Sequence, residues 1–252
     1  MTENTNIVDA DALGKPCAIQ AFRGAADLLD VCRRLRQIGV ITGNTGTGKT
    51  TAAKAQAERH PSNTVYMRLP VVANTAQPFL VRLCRAAGLL HTIHTGKADL
   101  AEELVSFLRI RPGMLVIIDE ANHMTPELVH IVREIWDEAR CGFVLVGTPD
   151  MEALWASQPG KKGKGSADAF AAFRARIGQR LVMPQPNDDD VKALCQHMGL
   201  SGRREHDLIA GCLKGGIGLH SLEQLLTNAR LAAGEAAVTV EHLFQADIMA
   251  RG

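Results

Sequence analysis

Residues 43–50 read Gly-Asn-Thr-Gly-Thr-Gly-Lys-Thr, directly behind the apolar run 38–41 and ahead of a stretch with helical character. No other segment limits the fold so sharply. A chain that leaves a strand through glycines and re-enters as a helix points several backbone N–H groups and a helix N-terminus at one spot, which attracts phosphate oxygens. At Gly43, Gly46 and Gly48 a side chain would resist the backbone angles or hold phosphates off the amides. The candidate ATP-binding residues are therefore Gly43, Asn44, Thr45, Gly46, Thr47, Gly48, Lys49, Thr50 and Thr51. Lys49 is expected to bridge the outer phosphates, and the Thr50 hydroxyl to take a coordination position on Mg2+.

The run 114–118, Met-Leu-Val-Ile-Ile, has the unbroken apolar character of a strand buried on both faces of a parallel sheet, and it ends in Asp119-Glu120. Phosphoryl transfer is catalysed by positioning and charge, so an ATPase needs a carboxylate near Mg2+ and a group that orients the attacking water. Asp119 is expected to support the metal and Glu120 the water, because adjacent residues leaving a strand diverge. Acids after strands also cap following helices, but capping does not require this approach from a buried apolar run.

Further strands are expected at 64–69, 142–146 and 179–183. Helices are expected from near Gln20 to 35 and at 51–59, 75–87, 98–108, 126–140 and 151–156. Alternation of strand and helix predicts an α/β domain, a three-layer αβα P-loop core with a parallel sheet and its ligand beyond the strands' carboxyl ends. The strand at 64–69 lies between the two motifs and leaves room for the extra strand of hydrolytic P-loop ATPases. After Pro184-Gln-Pro186 only helices follow, at 191–198, 205–213, 219–232 and 240–249, with Thr239 as the N-cap of the last. The expected organisation is a flexible segment over 1–19, a nucleotide-binding core over 20–184 and a small all-helical domain over 187–252.

Lys plus Arg number 28 against 27 Asp plus Glu, so no overall field draws the chain to nucleic acid or to an anionic membrane, and any such binding is local. The six cysteines form no Cys-x-x-Cys pair and sit mostly among apolar neighbours, as reduced core residues of a cytoplasmic protein do. No apolar run approaches the roughly 20 residues of a membrane span.

Four segments in order, 43–50, Ile117-Ile-Asp-Glu-Ala-Asn-His123, Val144-Leu-Val-Gly-Thr148 and Phe173-Arg-Ala-Arg-Ile-Gly-Gln-Arg180, resemble the AAA+ ATPases of the DNA transposition group, the phage Mu B, TnsC and TniB type. The resemblance covers roughly Gln20 to the C-terminus. It implies an AAA+ core with a helical lid and a polar sensor of the γ-phosphate at Thr148, a residue that could equally cap the turn before Pro149. It also implies an arginine that reaches a neighbouring subunit's γ-phosphate, Arg176 first and Arg180 second, with Arg174 beside them; a solvated basic edge is the alternative. The lid arginine usual in the family corresponds here to the stretch Gly215-Gly-Ile-Gly-Leu-His220, where His220 is a departure. The function implied is ATP-dependent self-association, as ring or filament, on duplex DNA, with recruitment or stimulation of a separate transposase. Helicase loaders and initiators share these motifs, as do secretion-type ATPases, which usually carry a membrane span or further domains.

Lys161, Lys162 and Lys164 form the densest basic patch and are the candidate DNA-binding residues, either as sequence-tolerant phosphate contacts or as a solvated loop. His91 and His94 lack nearby acids or cysteines for a metal site, and Asp188, Asp189 and Asp190 read as acids of a first helical turn.

Overall fold

The structure is a computed structural model that describes residues 20–90, 95–157, 166–185, 187–197, 200, 202–214, 219–234, 236 and 238–251. The N-terminal segment 1–19, His91, His94, the loop bearing Lys161, Lys162 and Lys164, and residues 215–218 lie outside them, as does the side chain of His220. The chain divides into two compact units, one built from Gly24–Asn44 and Lys49–Met183, the other dominated by Pro184–Gly252.

The apolar runs become the strands of one parallel sheet. β1 (Ile38–Thr42), β2 (Thr64–Arg68), β3 (Leu115–Asp119), β4 (Gly142–Gly147) and β5 (Ile177–Val182) lie in the order β2-β3-β4-β1-β5. Every residue of β1, β3 and β4 is buried, the pattern of strands covered on both faces, whereas β5 at the edge is buried only at Ile177. The strand between the two motif strands is β4, since β1 pairs with β4 and β4 with β3. The strand at 64–69, which lies between the two motifs in sequence, pairs with β3 and forms the other edge.

Helices cover the sheet: α1 (Gln20–Leu35), α2 (Lys49–Arg59), α3 (Ala76–Ala86), α4 (Lys97–Arg109), α5 (Pro126–Ala139), α6 (Met151–Ser157) and α7 (Ser166–Arg174). α5 starts where Thr125 accepts the Leu128 N–H with Pro126 at the first position, a preorganised N-terminus. α1 lies very close to the sheet. A Cβ on Gly142 would stand 2.7 Å from the Cys32 carbonyl oxygen, and one on Gly39 2.5 Å from the Cys32 sulfur. Cys32 is fully buried, and burial pushes its thiol up to about 12, so it stays protonated.

The arginine-bearing segment differs from the sequence expectation in where its strand starts. β5 begins two residues earlier than 179, because Ile177 is buried against the core. Arg174 ends α7, Arg176 lies in the turn and Arg180 is on β5.

The regular elements among the described residues of the C-terminal unit are helices, α8 (Asp188–His197), α9 (Arg203–Lys214), α10 (Leu219–Ala233) and α11 (Val240–Arg251). Val191, Ile209, Leu222, Leu226 and Leu243 are among the residues of its own apolar core. Asn187 caps α8 by accepting the Asp189 and Asp190 N–H groups, and Asp190 accepts the Asn187 N–H in return. The acidic run thus acts at a helix start. Thr239 accepts the Leu243 N–H through its carbonyl, and its own N–H donates to His242 Nδ1.

Because the Cβ of an alanine at Gly142 would strike backbone rather than a flexible side chain, Gly142→Ala should cost about 1–3 kcal/mol and lower the thermal midpoint by several degrees. An unchanged midpoint would show that α1 can lift off β4 freely.

Candidate nucleotide site

The parallel sheet brings the carboxyl ends of β1, β3 and β4 to one edge, and that register collects the motif residues. Thr42 ends β1 opposite Gly147 of β4, and Arg68 ends β2 opposite Asp119 of β3. The phosphate loop leaves β1 and α2 begins at Lys49. Gly46 and Gly48 have φ of 83° and 85°, the left-handed region where only glycine is unstrained. Gly43 is not among the positive-φ residues; its carbonyl instead accepts from Lys49 Nζ at 2.7 Å, as does that of Asn44 at 2.7 Å. These two bonds hold the lysine back over its own loop. Burial lowers the Lys49 pKa, opposed by the negative charges of Asp119 and Glu120. Thr51 is exposed one residue beyond Thr50.

Thr50 Oγ1 donates to Asp119 Oδ2 at 2.8 Å, joining the first turn of α2 to the end of β3. Asp119 is 2% exposed and fully engaged: Oδ2 also accepts the Tyr66 hydroxyl at 3.0 Å, and Oδ1 accepts the Glu120 N–H at 2.9 Å. A hydroxyl and a carboxylate held together beside a phosphate loop are hard oxygen donors, the set that Mg2+ takes together with substrate phosphates. Thr50 and Asp119 therefore fit that ion. Tyr66 was not anticipated. A lone tyrosine in a short strand carries no motif signal; only the pairing of β2 with β3 places it at Asp119.

Glu120 takes a left-handed conformation, φ 57° and ψ 37°. Its Oε1 accepts from Arg68 Nη2 at 3.2 Å, so the group expected to face water is held by a cation on the neighbouring strand. Thr148 follows β4 at the same edge, partly exposed, with its carbonyl accepting the Met151 N–H. The next turn is fixed by Trp155, whose Nε1 donates to the Ala121 carbonyl and whose ring meets Phe170 and Phe173 edge-on, each at 6.0 Å.

That aromatic cluster anchors α7 and so positions the arginines. Arg176 donates through Nε to Asp137 at 2.9 Å and through Nη1 to the Ala172 carbonyl at 2.8 Å. Arg180 makes a two-pronged contact with Glu152 at 3.2 and 3.3 Å, and Arg174 lies 3.9 Å from the same carboxylate. Ile177 pairs with Ile38 at the start of β1, whereas the phosphate loop follows Thr42 at its end. At about 3.3 Å per residue, Arg176 is more than about 13 Å away along the strands from its own chain's loop. A parallel sheet cannot bring it closer.

A strand-loop-helix phosphate cradle, a carboxylate at the end of the next-but-one strand and the order β2-β3-β4-β1-β5 define a P-loop ATPase of the AAA class. The profile of the AAA domain matches residues 32–154, and that of the C-terminal part of the Mu B transposition protein matches residues 175–248. The chain is thus similar to the Mu B transposition proteins, with an AAA domain ahead of a Mu B C-terminal region. It is 30% identical over 174 residues to the ATP-dependent target DNA activator B of Escherichia phage Mu, covering 68% of this chain and 52% of that protein. The protein of the same name from Escherichia phage D108 matches with the same figures. The Mu-like prophage FluMu DNA transposition protein B of Haemophilus influenzae is 23% identical over 168 residues, 67% of this chain and 56% of that protein. The chain thus spans about half the length of the curated relatives it matches. In fold it resembles the Aeropyrum pernix ORC2 protein, with a TM-score of 0.67 and 19% identity over 94% of this chain and 71% of that one. The Thermotoga maritima RuvB Holliday junction branch migration motor gives 0.56 and 16% over 94% and 73%. Among the described residues no helix is long and apolar enough to cross a membrane.

Tyr66 is the chain's one tyrosine, so its ionisation can be read directly. Burial and the adjacent Asp119 carboxylate both disfavour the phenolate and raise its pKa. Ultraviolet titration should show no tyrosinate near the ordinary midpoint of about 10, and Asp119→Asn should move the transition down in pH. A transition at the ordinary midpoint in the unaltered chain would place Tyr66 away from Asp119.

Proposed function

We propose that the chain is a Mg2+-dependent ATPase that binds duplex DNA without strong sequence preference, self-associates there in its ATP state and recruits or stimulates a separate transposase. The observation that carries the ATP part is the bond between Thr50 and Asp119 at the mouth of the phosphate loop. The relatives' names, ATP-dependent target DNA activator and DNA transposition protein, support the rest.

In this reading the loop amides and Lys49 hold the triphosphate, with Lys49 exchanging its two carbonyl partners for phosphate oxygens. Thr50 and Asp119 hold Mg2+, which when bound neutralises charge on the phosphates. Glu120 orients water once its pair with Arg68 opens, and Thr148 contacts the γ-phosphate from the end of β4. Arg176, with Arg180 second, serves a neighbour's nucleotide, which requires release from Asp137 or Glu152. Such a guanidinium stabilises developing negative charge in the transition state and couples hydrolysis to assembly. Lys161, Lys162 and Lys164 contact DNA phosphates, and a cytoplasmic location accompanies these partners.

Electron microscopy of the chain with duplex DNA, comparing ATP, a non-hydrolysable analogue and ADP, tests the reading. Assemblies should form with the first two and be sparse with ADP; assemblies indifferent to nucleotide would overturn it. Lys49→Ala should weaken ATP binding at least about tenfold, the effect of losing one charge-assisted contact. Glu120→Gln should bind ATP yet hydrolyse it about a hundredfold more slowly or worse, within the usual range for a proton-handling group, and leave longer-lived assemblies. Normal turnover in that variant would remove Glu120 from the chemistry.

A further inference from the structure

Three helices end at the amino-terminal edge of the sheet, opposite the phosphate loop, and each brings arginine. Arg36 follows α1, Arg109 and Arg111 close α4, and Arg140 follows α5; together with Glu138 they line a depression of about 400 Å³. Arg34 is exposed nearby at the end of α1. Cations suit helix C-termini singly, but converging helices set like charges side by side, which repel unless an anion is supplied.

The guanidinium groups are arranged to receive one. Arg111 stands 3.9 Å over the Phe107 ring and donates through Nη1 to the Phe107 carbonyl, and Arg140 stands 5.2 Å over Trp136. Stacking orders the plane and leaves in-plane N–H donors facing outward. Arg109 has only a long contact to Glu138, 3.8 Å between two exposed groups. Among the described residues, Arg36, Arg111 and Arg140 form no ion pair with a carboxylate. Arg36 and Arg140 also occupy left-handed conformations, φ 55° and 51°, at helix ends where glycine is the usual choice. The Arg36 carbonyl accepts the Trp136 indole N–H at 3.1 Å, which ties the two corners together.

We propose that this arginine edge is a binding site for the phosphodiester backbone of duplex DNA, separate from the lysine loop and from the nucleotide site. The proposal rests on the duplex-binding reading above. A chain with a net charge of only +1 holds this concentration of unpaired guanidinium at one place, so attraction is local. Exposed forks around a depression offer paired N–H donors, which backbone phosphates accept without regard to base. A small anion would be better served by buried donors.

The test is fluorescence anisotropy of a labelled duplex with the full chain and ATP, repeated over a salt series, for the unaltered chain and for Arg36→Gln/Arg111→Gln/Arg140→Gln. The triple variant should bind about tenfold or more weakly, and its log–log salt slope should be shallower by about two to three, with ATP affinity unchanged. If the unaltered chain fails to bind duplex, the duplex-binding reading itself falls. If it binds and the variant keeps both affinity and slope, only the present proposal is overturned. A variant that loses self-association at an unchanged slope would make the edge a contact for an acidic protein surface, which also overturns it. Should the triple variant not fold, Arg36→Gln and Arg111→Gln singly should each flatten the slope by about one, and an unchanged slope in both refutes the site.

Discussion

A single hydrogen bond, Thr50 Oγ1 to Asp119 Oδ2, closes the distance between two segments nearly seventy residues apart in sequence and makes one site of them. It depends on the fully buried strands β1, β3 and β4, whose burial on both faces fixes a parallel register and so puts both residues at the same sheet edge. Asp119 is buried and accepts from Thr50, Tyr66 and its neighbour's N–H, and this orients the carboxylate before any ligand arrives. A carboxylate with one fixed direction suits an ion that tolerates little deviation from octahedral geometry.

Charge is divided between the two ends of the sheet. The carboxyl end holds the phosphate loop, Asp119 and Glu120, whereas the amino end holds the corners of α1, α4 and α5 with their arginines. Arg176 stands near that second end as well, clamped by Asp137. It lies at the opposite end of the strands from its own chain's phosphate loop. Ion pairs hold Glu120 and the candidate trans-acting arginines alike, so activity in this account involves exchange of partners rather than the appearance of new groups.

Much of this was legible before any coordinates. The glycine spacing gave the loop, the unbroken run 114–118 gave the strand that carries Asp119, and the alternation of elements gave a three-layer domain. Strand order was not legible, because the apolar pattern of β4 says that it is buried but not between which neighbours. Tyr66 and Arg68 were missed for the same reason, since each acts across a strand pairing and neither forms a local motif. The start of β5 was misplaced by two residues because Gly178 and Gln179 dilute the pattern at an edge strand, where only Ile177 is buried. The arginine edge escaped notice because its members are scattered from 36 to 140 and meet only when three helices end together.

The central claim, that Thr50 and Asp119 form one magnesium-dependent triphosphate site, is tested most directly by calorimetric titration of a non-hydrolysable ATP analogue into the unaltered chain and Thr50→Val, with and without Mg2+. The account predicts that Mg2+ strengthens binding to the unaltered chain and that Thr50→Val loses most of this gain while keeping its metal-free affinity. An equal response to Mg2+ in both proteins would contradict it.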